Sequence, residues 1–297
     1  MSRLARWMNA PTSGLDLVER NIILNHSGKK KGVWKLAIKS YRSTLGQIPN
    51  LHIPSERTMC TLTMDDNVFV LLDDPVAPTR ADVLAAAPPG QEAAYLQGPT
   101  HFRTTFLTLR PPGALEQLLA QLKARWVSVR QSSSNVLQRG QSSGQQLMID
   151  GHQYAIGNDW LVRVGNVCLA GGGIKGMVLE AEYLPLPVLH SPGADGTSEL
   201  LSNLLTSILP NVKDAKTVAV TISDSQWDDV LWEREQGERV DNTTGETTKM
   251  ASESPEDIYV YGDEDIPEKQ PKDWIGIDRD RRSAYLIMGA LRSEGIL

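Results

Sequence analysis

The stretch WLVRVGNVCLAGGGIKGMVLEAEY, residues 160–183, reads as two strands joined by a glycine-rich turn. Trp160, Val162 and Val164 share one face, and Val167 and Leu169 are expected to continue it beyond Gly165-Asn166. In the second strand Met177, Leu179, Ala181 and Tyr183 alternate with Val178, Glu180 and Glu182. A two-stranded ribbon is marginal in water, so its apolar face requires further strands or a helix. The chain supplies both on either side.

Two patterns inside the ribbon bear on chemistry. Gly171, Gly173 and Gly176 have the GxGxxG spacing that sets backbone amides against a pyrophosphate at a helix N-terminus. The residues that follow alternate with period two and run into Pro185 and Pro187, so no helix is expected and a turn needing positive φ is the reading. Glu180 and Glu182 project from one face of one strand. In tunnel-shaped barrels that hydrolyse triphosphates, paired glutamates hold a divalent metal, with a third charged residue two positions on. Position 184 is Leu, so the series stops, and a solvated outer face is expected for the pair.

The 297 residues allow one or two domains with a sizeable core. A net charge of -6 argues against non-specific nucleic-acid or anionic-membrane binding as the main activity; Lys29-Lys30-Lys31 is the only basic run. Cys60 and Cys168 lie in strand-like segments without CxxC, and His26, His52, His101, His152 and His190 are scattered without ligand spacing, so neither metal nor cofactor is expected. The opening MSRLARWM is basic but leads into Asn-Ala-Pro with no apolar region behind it, so no signal peptide is expected and the sequon at Asn242 is read as unused. No apolar run approaches the ~20 residues of a membrane-spanning helix.

Along the chain, TSGLDLVERNIIL pairs Ser13 with Asp16 at capping-box spacing and places Leu15, Val18 and Ile22 on a helical stripe. Trp34, Leu36 and Ile38 mark a half-buried strand, and TMCTLTM and VFVLL flank Asp65-Asp66-Asn67 as a hairpin. Residues 75–99 turn Ala- and Pro-rich, a surface excursion with one helical turn over 80–87. HFRTTFLTLR resumes as a strand. ALEQLLAQLKARW predicts a helix with Leu115, Leu118, Leu119, Leu122 and Trp126 on the apolar stripe and Lys123 and Arg125 in its last turn. Residues 131–146 are Ser- and Gln-rich and read as a loop, and QLMID-GHQYAI as a second hairpin turning at Asp150-Gly151.

Thr197-Ser198 caps a Leu-rich helix that stops at Pro210, and KTVAVTI is one more strand. From Glu235 through Asp273 twelve acids face four bases, a balance of -8 with few apolar residues, so 236–273 is expected to be an acidic disordered insertion carrying Ser252 and Ser254 as phosphorylation candidates. Asp278 or Asp280 then caps a terminal helix with Ala284, Tyr285, Ile287, Met288 and Leu291 on a face too broad to leave in water. The expected organisation is a barrel domain over 1–235 with insertions at 75–99 and 131–146, the insertion at 236–273, and a C-terminal helix in 274–297 docking on the barrel or on a partner. The fold class is α+β, an antiparallel β-barrel flanked by a few amphipathic helices.

The string WLVRVGNV...KGMVLEAEYLP, the Leu-rich helix ending at Pro210 and the terminal helix beginning near Trp274 resemble the Mediator subunit 20 family of RNA polymerase II transcription. LEQLLAQLKARW behind a Phe-containing strand and the opening capped helix fall in the same relative places, and the long low-complexity insertions point to a fungal-type member. The resemblance implies an eight-stranded, helix-flanked barrel in the nucleus, without catalytic activity. It implies pairing with Mediator subunit 18 in the head module, a tether from a helix of subunit 8, and contacts with other head subunits and the polymerase machinery. Exposed members of the central ribbon, Trp160, Arg163 and Tyr183, are the expected partner interface, since Trp, Tyr and Arg dominate interface energetics. The alternative is a metal-dependent triphosphate phosphohydrolase using Glu180 and Glu182. A TATA-binding-type DNA saddle needs a basic concave face, against which the overall charge speaks.

Overall fold

The computed structural model describes residues 2–44, 56–121, 126–128, 146–169, 172–185, 197–209 and 277–297. The predicted strand KTVAVTI, the 236–273 insertion with Ser252 and Ser254, the 131–145 loop, His52, His190, Gly171, Leu122, Lys123 and Arg125 lie outside them. Nine strands form one antiparallel sheet: β1 (Ser2–Met8), β2 (Lys29–Ser43), β3 (Thr58–Met64), β4 (Asn67–Asp73), β5 (Thr104–Leu109), β6 (Trp126–Ser128), β7 (Leu147–Ile156), β8 (Trp160–Leu169) and β9 (Ile174–Tyr183). The order is β1-β9-β8-β7-β2-β3-β4-β5, with β6 on β2, and among the described residues the path is not closed between β1 and β5. The helices are α1 (Gly14–Asn25), α2 (Arg80–Ala86), α3 (Glu92–Gln97), α4 (Ala114–Gln121), α5 (Thr197–Ile208) and α6 (Ile277–Ser293). The α+β antiparallel class is the expected one.

The sheet is buried on both sides over most of its area. Its inner face brings Leu4, Trp34, Leu36, Ile38, Leu62, Phe69, Phe106, Ile149, Val167 and Val178 onto Ala284, Leu286, Ile287, Met288 and Leu291 of α6. This helix touches β1 at one end of the path and β3 and β4 near the other. The sheet therefore curls around α6, which is buried nearly all round from Arg281 to Leu291. On the outer face α1 and α5 cover β1, β9, β8 and β7, packing Val18, Ile22, Leu201, Leu205 and Ile208 against Ala5, Trp7, Tyr154, Val162, Val164 and Leu179. Leu115 of α4 covers Tyr41, Met59, Val68 and Val70 on the other half. The terminal helix thus docks inside its own chain.

Several expectations are corrected. Ser2–Met8, to which the sequence reading gave no element, form strand β1, with Leu4 and Arg6 turned inward and Ala5 and Trp7 outward. Val167 and Leu169 do not continue the face of Val162 and Val164. The pleat runs unbroken through Gly165-Asn166, so they fall on the inner side with α6. Asp150-Gly151 is no turn: β7 runs straight through it, with Gly151 opposite Gly165 of β8 and Trp34 of β2. A Cβ at Gly151 would stand 1.9 Å from the Val164 carbonyl oxygen, so its glycine serves close backbone approach.

Ser13 makes no side-chain cap, because its backbone sits in the helical region, where its hydroxyl misses the first-turn amides. A capping box closes instead at Thr79 and Asp82 of α2, whose residues are all outside the core, as are those of α3. Trp126 belongs to β6 and pairs with Ser43, so strand pairing overrides the helical spacing there. Leu118 is exposed, which narrows the stripe of α4 to Leu115 and Leu119.

Candidate interior charge site

The carboxylates singled out in the ribbon are not on a solvated face. Glu180 and Glu182 are each 1% exposed, beneath α6. Period-two alternation places them with Val178, and that is the side the terminal helix covers. Arg163, directly opposite Glu180 in the β8–β9 register, is 6% exposed. Its Nη1 donates to Glu180 Oε2 at 2.8 Å and lies 3.4 Å from Glu182 Oε2. From α6, the Ser283 hydroxyl donates to the same Glu180 oxygen at 2.9 Å, and Arg279 Nε sits 2.7 Å from Glu182 Oε1. The expected interface trio therefore divides: Arg163 is internal, while Trp160 and Tyr183 form a half-buried outer pair, ring centroids 4.8 Å apart.

The two glutamates are served unequally. Glu180 receives two aligned hydrogen bonds, whereas neither oxygen of Glu182 receives one despite two nearby guanidiniums. Burial accordingly pushes the Glu182 carboxyl above its ordinary value, against the pull of Arg163 and Arg279. Asp280 on α6 is raised too, because burial outweighs the pull of Arg163 and Arg279, with a smaller push from the carboxylates Asp65 and Glu180. For Arg163, burial works against the charge, but Glu180 and Glu182 reverse the effect and hold it charged.

Further pairs fasten α6 at its other end. Arg6, fully buried on β1, donates from Nε to both oxygens of Glu294 at 3.0 and 3.1 Å and from Nη2 at 2.8 Å. Arg292 reaches Asp73 of β4 at 3.1 Å and Thr58 of β3 at 3.3 Å. Arg6, Arg279, Ser283 and Glu294 are the participants missed in the sequence. Arg6 and Glu294 are far apart in the chain, and the only available signal was an arginine set among apolar residues in MSRLARWM.

This arrangement neutralises carboxylates with arginines rather than presenting them to a metal. Among the described residues no group of three or more His, Cys, Asp or Glu side chains has metal-holding geometry. The glycine pattern behaves as a turn: Gly172 and Gly176 have φ of 84° and 135°, and strand β9 begins at Ile174 where a phosphate-binding helix would be needed. Both cysteines are free, and burial pushes the Cys60 thiol up to about 12, away from nucleophilic use. His152 pairs with Glu19 at 2.5 Å, tying α1 to β7, and His101 pairs with the buried Asp74 at 2.7 Å, joining the two ends of the excursion between β4 and β5.

A curled antiparallel sheet with outer helices and a neutralised interior is the frame against which the family match stands. A model for the TATA-binding related factor (TRF) of subunit 20 of the Mediator complex matches residues 17–236. The chain belongs to the Mediator subunit 20 family. It is thereby a component of the transcription coactivator named in that description, and the matched stretch takes in β2 to β9 and helices α2 to α5. No curated protein sequence matches the chain.

Among solved structures it is similar to the PH1819 protein of Pyrococcus horikoshii OT3, at 7% identity and a TM-score of 0.34, covering 70% of this chain and 88% of that one. A putative adenylyl cyclase from Hippeastrum, described as having a dominant triphosphatase activity, is 9% identical with a TM-score of 0.31, over 75% of this chain and 93% of its own. The Mimivirus capping enzyme triphosphatase is 7% identical with a TM-score of 0.27, over 71% and 89%. At such scores these likenesses carry no argument about function. The Mediator family match does.

Proposed function

We propose that the chain is a non-catalytic subunit of the Mediator head module, acting in the nucleus and pairing with Mediator subunit 18 to support regulated transcription by RNA polymerase II. A helical segment of subunit 8 and the other head subunits are its further partners in this reading. The observation that carries it is the family match over 17–236. The interior charge site supports the non-catalytic part. Glu180 and Glu182, which a triphosphate hydrolase would need facing a metal and substrate, face Arg163, Arg279 and Ser283 and lie under a helix that occupies the inside of the sheet.

Trp160 and Tyr183 are the proposed contact for the partner. They sit at one end of the ribbon, half-buried and against each other, on the outer face. An aromatic pair of this kind offers a large apolar area with little rotamer entropy to lose on association. Arg163 has no share in that surface, because its guanidinium already serves two internal carboxylates.

The test is co-expression with subunit 18 from the same source, followed by size-exclusion chromatography with light scattering on the mixture and on each chain alone. A one-to-one complex is expected, weakened at least tenfold by Trp160→Ala combined with Tyr183→Ala. A chain that stays monomeric beside subunit 18 would remove the pairing, and unchanged affinity in the double variant would move the interface elsewhere. Phosphate release from triphosphates with Mg²⁺ or Mn²⁺, abolished by Glu180→Gln, would overturn the non-catalytic reading.

A further inference from the structure

Strand β2 is longer than its neighbour on one side. β7 pairs with it from Lys29 to Ile38, but β3 pairs only from Leu36 to Arg42. Along residues 29–35 the edge facing away from β7 has no strand partner among the described residues, so a row of amides and carbonyls points outward. Lys29, Lys30 and Lys31 are exposed there, a bulge falls between Lys30 and Gly32, and Val33 is 58% exposed. Lysines and a bulge are how proteins guard a bare edge. The same features also make a receptor for an acidic strand.

The chain contains a segment of matching chemistry. Residues 257–265 read DIYVYGDED, four β-favouring residues followed by Gly262 and then Asp263, Glu264 and Asp265. The chain on either side of this segment departs from and returns to the region of the bare edge. The end of α5 lies against the end of α1, where Asn21 Nδ2 donates to the carbonyls of Ser207 and Ile208 at 2.9 and 2.7 Å, and Lys29 follows four residues after Asn25. Asp280, in the first turn of α6, is within electrostatic reach of Asp65, in the turn that ends β3 beside Leu36. The eleven residues between Asp265 and Ile277 can span up to roughly 40 Å, ample for that return.

We propose that the bare edge of β2 over residues 29–35 is a β-augmentation site and that its occupant is the chain's own segment 257–265. Antiparallel addition sets Ile258 opposite Lys35 and Val260 opposite Val33, with Gly262 against the Lys31 bulge. Asp263 and Glu264 then meet Lys30 and Lys29. Parallel addition would carry the acidic triplet past Leu36, where β3 already holds the edge. The competing segment 216–222, KTVAVTI, is preceded by Lys213 and carries Lys216, so it brings like charge to the lysines.

Hydrogen–deuterium exchange on the isolated full chain tests this without reference to subunit 18. Val260→Pro removes an amide and disfavours the paired strand without touching the folded sheet. Exchange of the outward amides within 29–35 is expected to speed up tenfold or more in this variant, with 36–43 unchanged. Lys29→Glu with Lys30→Glu should give the same acceleration, and adding Asp263→Lys with Glu264→Lys should restore slow exchange by exchanging the charges. Unaltered exchange in Val260→Pro overturns the proposal. So does acceleration by Val218→Pro alone, which would assign the edge to 216–222, and so does failure of the charge exchange to restore protection.

Discussion

The two faces of the β8–β9 ribbon are both buried, and by opposite means. On the outer face Val162, Val164, Leu179 and Ala181 meet α1 and α5 in an apolar layer. On the inner face, at the same registers, Arg163, Glu180 and Glu182 meet Arg279 and Ser283 of α6. The outer layer holds by area, and many different apolar packings would serve it. The inner one holds only while every charge keeps its partner, because a buried charge without one is worth several kcal/mol of destabilisation. A charged seam therefore contributes little net stability. Instead it penalises any placement of α6 other than the one that answers Arg163 and both glutamates.

The comparison breaks most sharply at Glu180. Glu180→Ala takes the hydrogen-bond acceptor from the Arg163 guanidinium and the Ser283 hydroxyl, leaving Arg163 only the more distant Glu182, and should lower the unfolding free energy by about 3 kcal/mol in denaturant titration. The double variant Arg163→Met with Glu180→Leu should recover most of that loss, since a packed apolar pair is commonly as stable as a buried ion pair. If the double variant is no better than Glu180→Ala alone, the seam stabilises outright and the contrast between the faces fails. On the outer side Leu205→Ala should cost about 2–4 kcal/mol by cavity formation, with no rescue by any charge change.

These faces also mark where sequence reading succeeds and where it stops. Alternation correctly grouped Glu180 with Glu182 and set both apart from Leu179 and Tyr183. The stripe of α1, the Leu-rich helix α5, the Asp65-Asp66 hairpin and the surface excursion beginning at Pro75 also follow from local patterning. Period two says which residues share a face, however, and nothing about what covers it. The cover comes from α6, more than ninety residues beyond Glu182 in the chain. For the same reason Arg163 reads as an exposed hot-spot candidate, although its partners lie on the next strand and under the terminal helix. Asp150-Gly151 misleads in another way. Its local turn chemistry is outvoted by ladders on both sides, to Lys35-Trp34 and to Asn166-Gly165.

Glu182 supplies a gentler probe of the inner face. Its folded value is raised above the ordinary 4.5, so the native state holds the proton more tightly than the unfolded chain. Stability from this group is fully present below 4.5 and is lost as the pH rises through the raised value. Glu182→Gln removes the titration. Denaturation of parent and variant from pH 7 down to pH 4 should show the parent gaining on the variant as the pH falls. A parent that loses ground on acidification would mean that the Arg163 and Arg279 contacts outweigh burial at Glu182.

The smallest effect belongs to another cross-strand ion pair of the same sheet, outside the seam. Lys35 on β2 and Asp150 on β7 face each other in register with Nζ and Oδ1 3.7 Å apart, but their side chains are 64% and 57% exposed. Water already solvates both, so the pair gains little and its loss leaves no buried charge behind. Lys35→Ala should therefore change the unfolding free energy by less than about 0.5 kcal/mol, and the remainder should shrink further in 0.5 M salt. Register and charge type match those of Arg163–Glu180, so the difference in cost between Lys35→Ala and Glu180→Ala isolates what burial under α6 adds. Equal costs would show that strand pairing, and not the terminal helix, governs both.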